Sequence, residues 1–237
     1  MANVLITGAD RGLGLSLCKE YLNRGDTVFA GKYMQDYNFL EQLNHPNLHI
    51  LPLDVGSKES IFAAKASVAG ATGTLDMLIS NAALMGEVKC SLYEPPMDLE
   101  APWRSFQINA LGPLLLTQAM LPLMETGLKR LCYVSSEVAC LALMKHRADG
   151  PFPYPMSKAS MNMAVRMMHN QLYGQGYTFR LFHPGWMKFR NQDGTLNEKG
   201  MYDPDYIGKI AAGYFEKPLG DEQRLVMVDF RGHEWLF

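Results

Sequence analysis

The sequence predicts an α/β protein: a doubly wound parallel sheet in three layers, folded as a single domain over residues 1–237. Three observations carry that expectation. Short β-rich apolar runs alternate with helix-length segments along the chain. Several of the runs are apolar throughout, as parallel strands covered on both faces must be. The length of 237 residues suits one α/β domain, and no internal repeat or low-complexity linker divides it.

The strand candidates, in order, are residues 3–7, 27–30, 48–52, 77–80, 130–135, 177–183 and 225–228. Each is a short run bounded by turn residues or by a helical pattern. Leu13–Arg24 reads as the first helix, with Gly25 as its stop. Lys58–Val68 follows Ser57, which has the chemistry of an N-cap. Trp103–Met124 reads as one long helix kinked at Pro113, followed by helices at Tyr154–Tyr173 and Pro204–Tyr214.

Composition excludes several classes. Hydrophobic residues make up 48% and charged residues 19%, which rules out disordered and fibrous chains. The net charge is −2, giving no electrostatic footprint for nucleic acid or a membrane surface. No run approaches the ~20 apolar residues of a membrane span. The segment 1–14 lacks a basic leader region, so no signal peptide is expected. Cys18, Cys90, Cys132 and Cys140 have no metal or redox spacing, and read as reduced thiols of a cytoplasmic protein.

The first strand runs into Thr-Gly-Ala-Asp-Arg-Gly-Leu-Gly, with Gly8, Gly12 and Gly14 ahead of a helix. Glycines at a strand-to-helix turn let backbone N–H groups approach a pyrophosphate, and the helix N-terminus adds partial positive charge. The lysine of a triphosphate-binding loop is absent. This marks a Rossmann-type dinucleotide site.

Further elements follow in order: Asp54 after the third strand, Ser80-Asn81-Ala82-Ala83 after the fourth, and Asn109 in Phe-Gln-Ile-Asn-Ala. Ser135-Ser136 end the fifth strand, Tyr154-Pro-Met-Ser-Lys158 opens a helix, and Pro184-Gly185 follow the sixth strand. Together with the glycine loop they resemble the short-chain dehydrogenase/reductase family over the full length of the chain. The C-terminal run from Val228 to Trp235 and His-Pro-Gly-Trp at 183–186 resemble its C-factor and sniffer-like carbonyl reductase branch.

Tyr154 and Lys158 are four residues apart on a helix and so share a face. A lysine ammonium beside a phenol, with an oxidised nicotinamide ring, favours phenolate and brings its pKa down from about 10. Tyr154 can then donate a proton to a carbonyl oxygen, or accept one from an alcohol. Ser136 can hold that oxygen. The resemblance favours Ser136 over Ser135, although the eighteen-residue step from Ser136 to Tyr154 is longer than the family's and implies an insertion, Glu137–Pro153. It also implies that Lys158 binds the nicotinamide ribose and that Asn109 serves a water relay.

The resemblance implies a cofactor cleft lined by Gly8, Asp10, Arg11, Gly12, Leu13, Gly14, Lys32, Asp54, Val55, Asn81, Ala82, Ala83, Tyr154, Lys158, Pro184, Gly185, Trp186 and Met187. An NAD site carries an acid just after the second strand. Here Gly31-Lys32-Tyr33 occupy that place and no acid appears before Asp36. Lys32 and Arg11 fall where the NADP-using branch has basic residues, so NADPH is expected over NADH. Asp10 runs against this unless it caps the turn or helix.

On the substrate side, Met85, Met144, Phe152, Trp186 and Met187 are the candidate lining, which suits an apolar carbonyl compound or alcohol. His183 reads as structural, and His146 and Arg147 fall in the insertion. Phe189 stands where the family commonly has a threonine touching the nicotinamide carboxamide, leaving the backbone after Gly185 for that contact. No metal is expected. The resemblance implies a homodimer or homotetramer. The alternative to a turning-over enzyme is a regulatory or signalling protein of the same fold that binds NADP.

Overall fold

The computed structural model describes residues 1–85, 99–143 and 152–237. The described strands are β1 Asn3–Thr7, β2 Thr27–Lys32, β3 Leu48–Pro52, β4 Met77–Ser80, β5 Arg130–Val134, β6 Thr178–His183, β7 Met227–Asp229 and β8 Glu234–Trp235. The described α-helices are α1 Gly12–Asn23, α2 Phe39–Gln42, α3 Lys58–Ala71, α4 Glu100–Phe106, α5 Gly112–Met124, α6 Pro153–Leu172 and α7 Pro204–Glu216.

The strands form one sheet in the order β3-β2-β1-β4-β5-β6-β7-β8. All neighbours pair in parallel except β7 and β8. Side chains alternate between two cores, as period-two strands require. Leu5 packs with residues of α3, α5 and α6, whereas Val4 and Ile6 pack with those of α1 and α7. All three are fully buried, at roughly 1.5–3 kcal/mol each. The three-layer, doubly wound arrangement is therefore as the sequence predicts.

Local chemistry sets most boundaries. Ser57 accepts from the Ser60 N–H at 3.2 Å and caps α3. Asp203 accepts from the Asp205 and Tyr206 N–H groups and caps α7, with Pro204 in its first turn. β2 runs to Lys32 rather than Ala30, and β7 is shifted to Met227–Asp229. The four-residue α2 has no sequence signal, being too short for periodicity. Arg180 is wholly buried in β6 and bonds both oxygens of Glu222 at 2.6 Å, anchoring the segment between α7 and β7.

The expected continuous helix over Trp103–Met124 is corrected. α4 passes into a π turn at Gln107–Leu111 before α5 begins, and the Gly112 N–H reaches back to Gln107 O. Pro113 does not kink a helix interior. It sits in the first turn of α5, where a missing N–H is tolerated. The wider turn lets Asn109 face inward and brings Gly112 so close to the segment after β3 that a Cβ there would lie 2.5 Å from Val55 O. Among the described residues no helix is long and apolar enough to cross a membrane.

Candidate active site

β1 and β4 are neighbours, but the helices α1 and α5 cover opposite faces of the sheet. A crevice opens beyond their carboxyl ends, at the switch in strand order. Thr7 Oγ1 accepts from the N–H groups of Asn81 and Ala82, each at 3.0 Å. Asn81 Nδ2 donates to Thr7 O at 2.9 Å and Gly8 O at 3.1 Å. The end of β4 thus holds the glycine loop in shape.

Glycine is required at Gly12 and Gly14, as it is at Gly8, where φ is +61° and a Cβ would lie 2.8 Å from Ala82 Cα. Gly12 has φ +57°, and a Cβ on it would meet nothing within 4 Å, so the loop surface is open at that point. A Cβ on Gly14 would run into Gly8 O and come within 2.7 Å of Asn81 Nδ2. Arg11, the residue before α1, makes no side-chain cap bond. The first amides of α1 and the buried Leu13 therefore form a cradle of the kind a pyrophosphate occupies.

At the adenosine end, Asp10 is buried and its Oδ1 accepts from the N–H groups of Tyr33 and Met34, each at 2.8 Å. It caps the turn after β2, not the helix. Arg11 Nη1 donates to the Tyr37 hydroxyl at 2.8 Å, and its Cζ lies 5.0 Å from the Tyr37 ring and 5.6 Å from the Phe189 ring. Lys32 is engaged elsewhere, with its buried Nζ 2.6 Å from Glu41 Oε1. Asp54 accepts from the Gly56 N–H at 2.8 Å and lies 3.5 Å from Arg104 Nη2. Val55 is buried beside it, while Ala82 is half-buried and Ala83 exposed past β4.

The other end of the crevice gathers the polar groups of β5, the π turn and α6. Asn109 is fully buried. Its Oδ1 accepts from the Leu84 N–H at 2.7 Å, and its Nδ2 donates to Leu84 O at 2.8 Å and Ser157 Oγ at 2.9 Å. Ser157 Oγ in turn donates to Tyr154 O at 2.8 Å. Ser135 is buried and donates to Asn162 Oδ1 at 2.7 Å, whereas Ser136 Oγ accepts from the Val138 N–H at 3.4 Å and stands on the Tyr154 side of the strand end.

Burial pushes the Tyr154 phenol up to about 12, with the nearby Ser136 hydroxyl pulling the other way. Burial pushes Lys158 down to about 8, and its Nζ donates to Val134 O at 2.8 Å. The downward shift expected for Tyr154 is therefore not found in the chain alone. Its phenol is desolvated, and the lysine directs its N–H at a main-chain carbonyl.

On the substrate side, two short 3₁₀ turns at Glu137–Ala139 and Leu141–Leu143 begin the insertion. Met144, His146, Arg147, Cys90 and the rest of 86–98 and 144–151 lie outside the described residues. Met85, Phe152 and Trp186 are exposed, while Met187 is half-buried against the α1–α7 core. Pro184 is buried and Gly185 follows it at the end of β6. His183 is buried edge-on to Trp235, with Nε2 3.9 Å from Glu137 Oε2, and desolvation lowers its pKa. The Phe189 N–H donates to Asn197 Oδ1 at 2.9 Å, and its ring turns to Arg11.

Sequence reasoning missed Ser157, Tyr37 and the Arg11–Phe189 contact. Ser157 adjoins Lys158 in the Tyr-Pro-Met-Ser-Lys run and was open to discovery by proximity. The other two depend on loops whose paths no periodicity reveals.

Residues 2–199 match the family model for short chain dehydrogenases. The chain belongs to that family. This short chain dehydrogenase is 30% identical over 235 residues to an uncharacterized oxidoreductase of Schizosaccharomyces pombe, covering 94% of its own length and 88% of that relative. It is similar to the carbonyl reductase Sniffer of D. melanogaster, with TM-score 0.86, 26% identity and 100% of both chains covered. The NADPH-bound carbonyl reductase from chicken fatty liver gives TM-score 0.81 and 26% identity, over 100% of this chain and 99% of that one. The short chain dehydrogenase is accordingly an NAD(P)-dependent oxidoreductase.

Proposed function

We propose that the protein uses NADPH to reduce the carbonyl of a small ketone or aldehyde, or oxidises the corresponding alcohol, with Tyr154 as general acid/base. The observation that carries this reading is the gathering of Ser136, Tyr154 and Lys158 at the end of β5, with Lys158 one turn along α6 from Tyr154 and its Nζ 2.8 Å from Val134 O. Carbonyl reductases among the structural relatives, one of them NADPH-bound, support the substrate class.

The cleft fits a dinucleotide on its own geometry, because the loop is open above Gly12 while Gly14 and Asn81 close it from beneath. The backbone of Gly8, Gly12 and Leu13 would hold the pyrophosphate, with Asp54 and Val55 at the adenine. Asn81 to Ala83, Lys158 and Pro184 to Met187 would flank the nicotinamide riboside. Arg11 favours the 2′-phosphate. When bound, the cofactor supplies or accepts hydride.

The chain's own residues handle the proton. Ser136 holds the substrate oxygen next to Tyr154. Tyr154, raised by burial and so fully protonated at neutral pH, gives its proton to that oxygen as the carbonyl is reduced. Lys158 serves the ribose and the phenol. Asn109 braces Leu84 and Ser157, and through them the start of α6, in support of the proton relay. The buried, unbridged Cys18, Cys132 and Cys140 favour a cytoplasmic setting.

A screen of ketones and aldehydes following NADPH absorbance tests the reading. Turnover of at least one carbonyl compound, lost in Tyr154→Phe, is the expected result. Tight NADPH binding with no turnover of any compound would favour the regulatory alternative.

A further inference from the structure

The segment after β6 folds into a hairpin over residues 189–197. Asn197 N–H donates to Phe189 O at 2.8 Å, Asn191 N–H donates to Thr195 O at 2.8 Å, and Arg190 pairs with Leu196 as an antiparallel bridge. Arg190 also ties the hairpin to α7, with Nη2 3.3 Å from Asp205 Oδ2. Asp205 in turn holds α1 through Ser16 and Lys19. At the tip, a Cβ on Gly194 would lie 4.0 Å from the Phe39 ring, and Phe39 packs against Tyr37 at 5.8 Å. The hairpin thus follows β6, its tip reaches Phe39 at the start of α2, and Phe189 at its base meets Arg11 of the glycine loop.

Arg11 is the residue at which these segments meet. It belongs to the glycine loop, donates to Tyr37 from the turn before α2, and lies over the Phe189 ring of the hairpin. The other cations near this end are engaged, Lys32 with Glu41 and Arg104 with Asp54 and Tyr33. A flexible arginine loses rotamer freedom when it binds an anion, and one held by two rings has lost much of that freedom beforehand. Its planar guanidinium also keeps donors free of the Tyr37 bond to meet a phosphate in bidentate fashion.

We propose that Phe189 and Tyr37 are positioning residues for cofactor selection: they hold the Arg11 guanidinium ready for a 2′-phosphorylated adenosine, and so set the preference for NADPH over NADH. This rests on the NADPH reading above and adds to it where the preference is built. It also gives Phe189 a role in place of the carboxamide contact, since its backbone N–H is taken by Asn197 and its ring faces the other end of the cleft.

The test is the affinity of the full chain for NADPH, NADH, 2′,5′-ADP and 5′-AMP, measured by titration calorimetry for wild type, Arg11→Ala, Phe189→Leu, Tyr37→Phe and the Arg11→Ala/Phe189→Leu pair. Cation–ring contacts of this kind are worth about threefold to tenfold in affinity. Phe189→Leu should lower the NADPH-to-NADH affinity ratio by that factor, and the 2′,5′-ADP-to-5′-AMP ratio in parallel. Tyr37→Phe keeps the ring and should cost about half as much on a logarithmic scale, as one hydrogen bond is lost. In the Arg11→Ala background, Phe189→Leu should leave the ratio unchanged. A merely structural part for Phe189 would weaken both cofactors alike. A normal Arg11→Ala effect with the ratio untouched in Phe189→Leu and Tyr37→Phe overturns the proposal alone. An unchanged ratio in Arg11→Ala overturns it together with the NADPH reading.

Discussion

Asn109 donates its side-chain amide to the Ser157 hydroxyl across 2.9 Å, joining the π turn to the first turns of α6. Ser157 passes the restraint on by donating to Tyr154 O. The π turn and α6 are thereby one unit, and the wider helical turn is what aims Asn109 at it.

That relationship predicts the behaviour of Ser157→Ala. The variant removes one buried hydrogen-bond partner from each neighbour, worth about 1 kcal/mol. Turnover should fall about threefold to tenfold with KM nearly constant, because Tyr154 is displaced without being removed. Steady-state kinetics and a thermal melt check this, and unchanged kcat would count against the coupling.

Tyr154→Phe tests the chemistry directly. General acid–base groups contribute typically ~10²–10⁴-fold, and turnover of a confirmed carbonyl substrate should fall on that scale. NADPH affinity, set mainly by the glycine loop, should stay near wild type. A variant as fast as wild type would remove Tyr154 from the mechanism.

The pH dependence follows from Lys158, which burial holds near about 8 in place of 10.5. Because the folded value is depressed, the free enzyme loses this charge as pH rises through about 8, while unfolded chains keep it to higher pH. Stability from this group therefore improves above about 8. Carbonyl reduction should do the opposite, with kcat/KM for NADPH falling above that pH as the ammonium disappears. A profile flat to about pH 9.5 would show that the lysine charge is not needed.

Gly14→Ala isolates the loop. The added Cβ meets Gly8 O and Asn81 Nδ2, neither of which can yield without breaking the β1–β4 tie. Overpacking of this kind costs about 1–3 kcal/mol, so the melt should drop by several degrees and NADPH binding by more than tenfold. Gly12→Ala, which meets no neighbour but needs φ +57°, should cost about 1–2 kcal/mol through backbone strain.

Much of this was legible in the residues because it depends on short-range pattern. The apolar runs at Val4–Ile6 and Met77–Ser80 could only be buried strands, and Gly8-Gly12-Gly14 between a strand and a helix could only be a tight loop. The π turn was not legible, since Gln107–Leu111 has ordinary helical composition and the bonds that Asn109 makes from it are to residues distant in sequence. Nor was the fate of Lys32. Its position at the end of the second strand was clear, but its partner Glu41 sits on a four-residue helix with no periodic signal. The raised phenol of Tyr154 likewise reflects burial in the folded crevice, which helical spacing to Lys158 does not report.

The exposed apolar faces predict the assembly. Met156, Met163 and Met167 stand 52%, 62% and 56% exposed on α6, at steps of seven and four residues that place them along one side of the helix. Trp103, Leu111 and Leu114 are exposed at 69%, 60% and 40% on α4, the π turn and the start of α5. Large apolar side chains gathered in this way are costly in water, and covering them with a second subunit over a standard interface of ~1,600 Å² relieves that cost. A homodimer or homotetramer built through these helices is the expected outcome, with light scattering at micromolar concentration giving a multiple of the 26.6 kDa chain mass. Met163→Glu and Leu114→Glu each place a charge in one of the two faces. Loss of the larger species in one variant alone identifies the face in use, loss in both indicates a tetramer that needs the two together, and a wild type that scatters only as a single chain refutes the assembly.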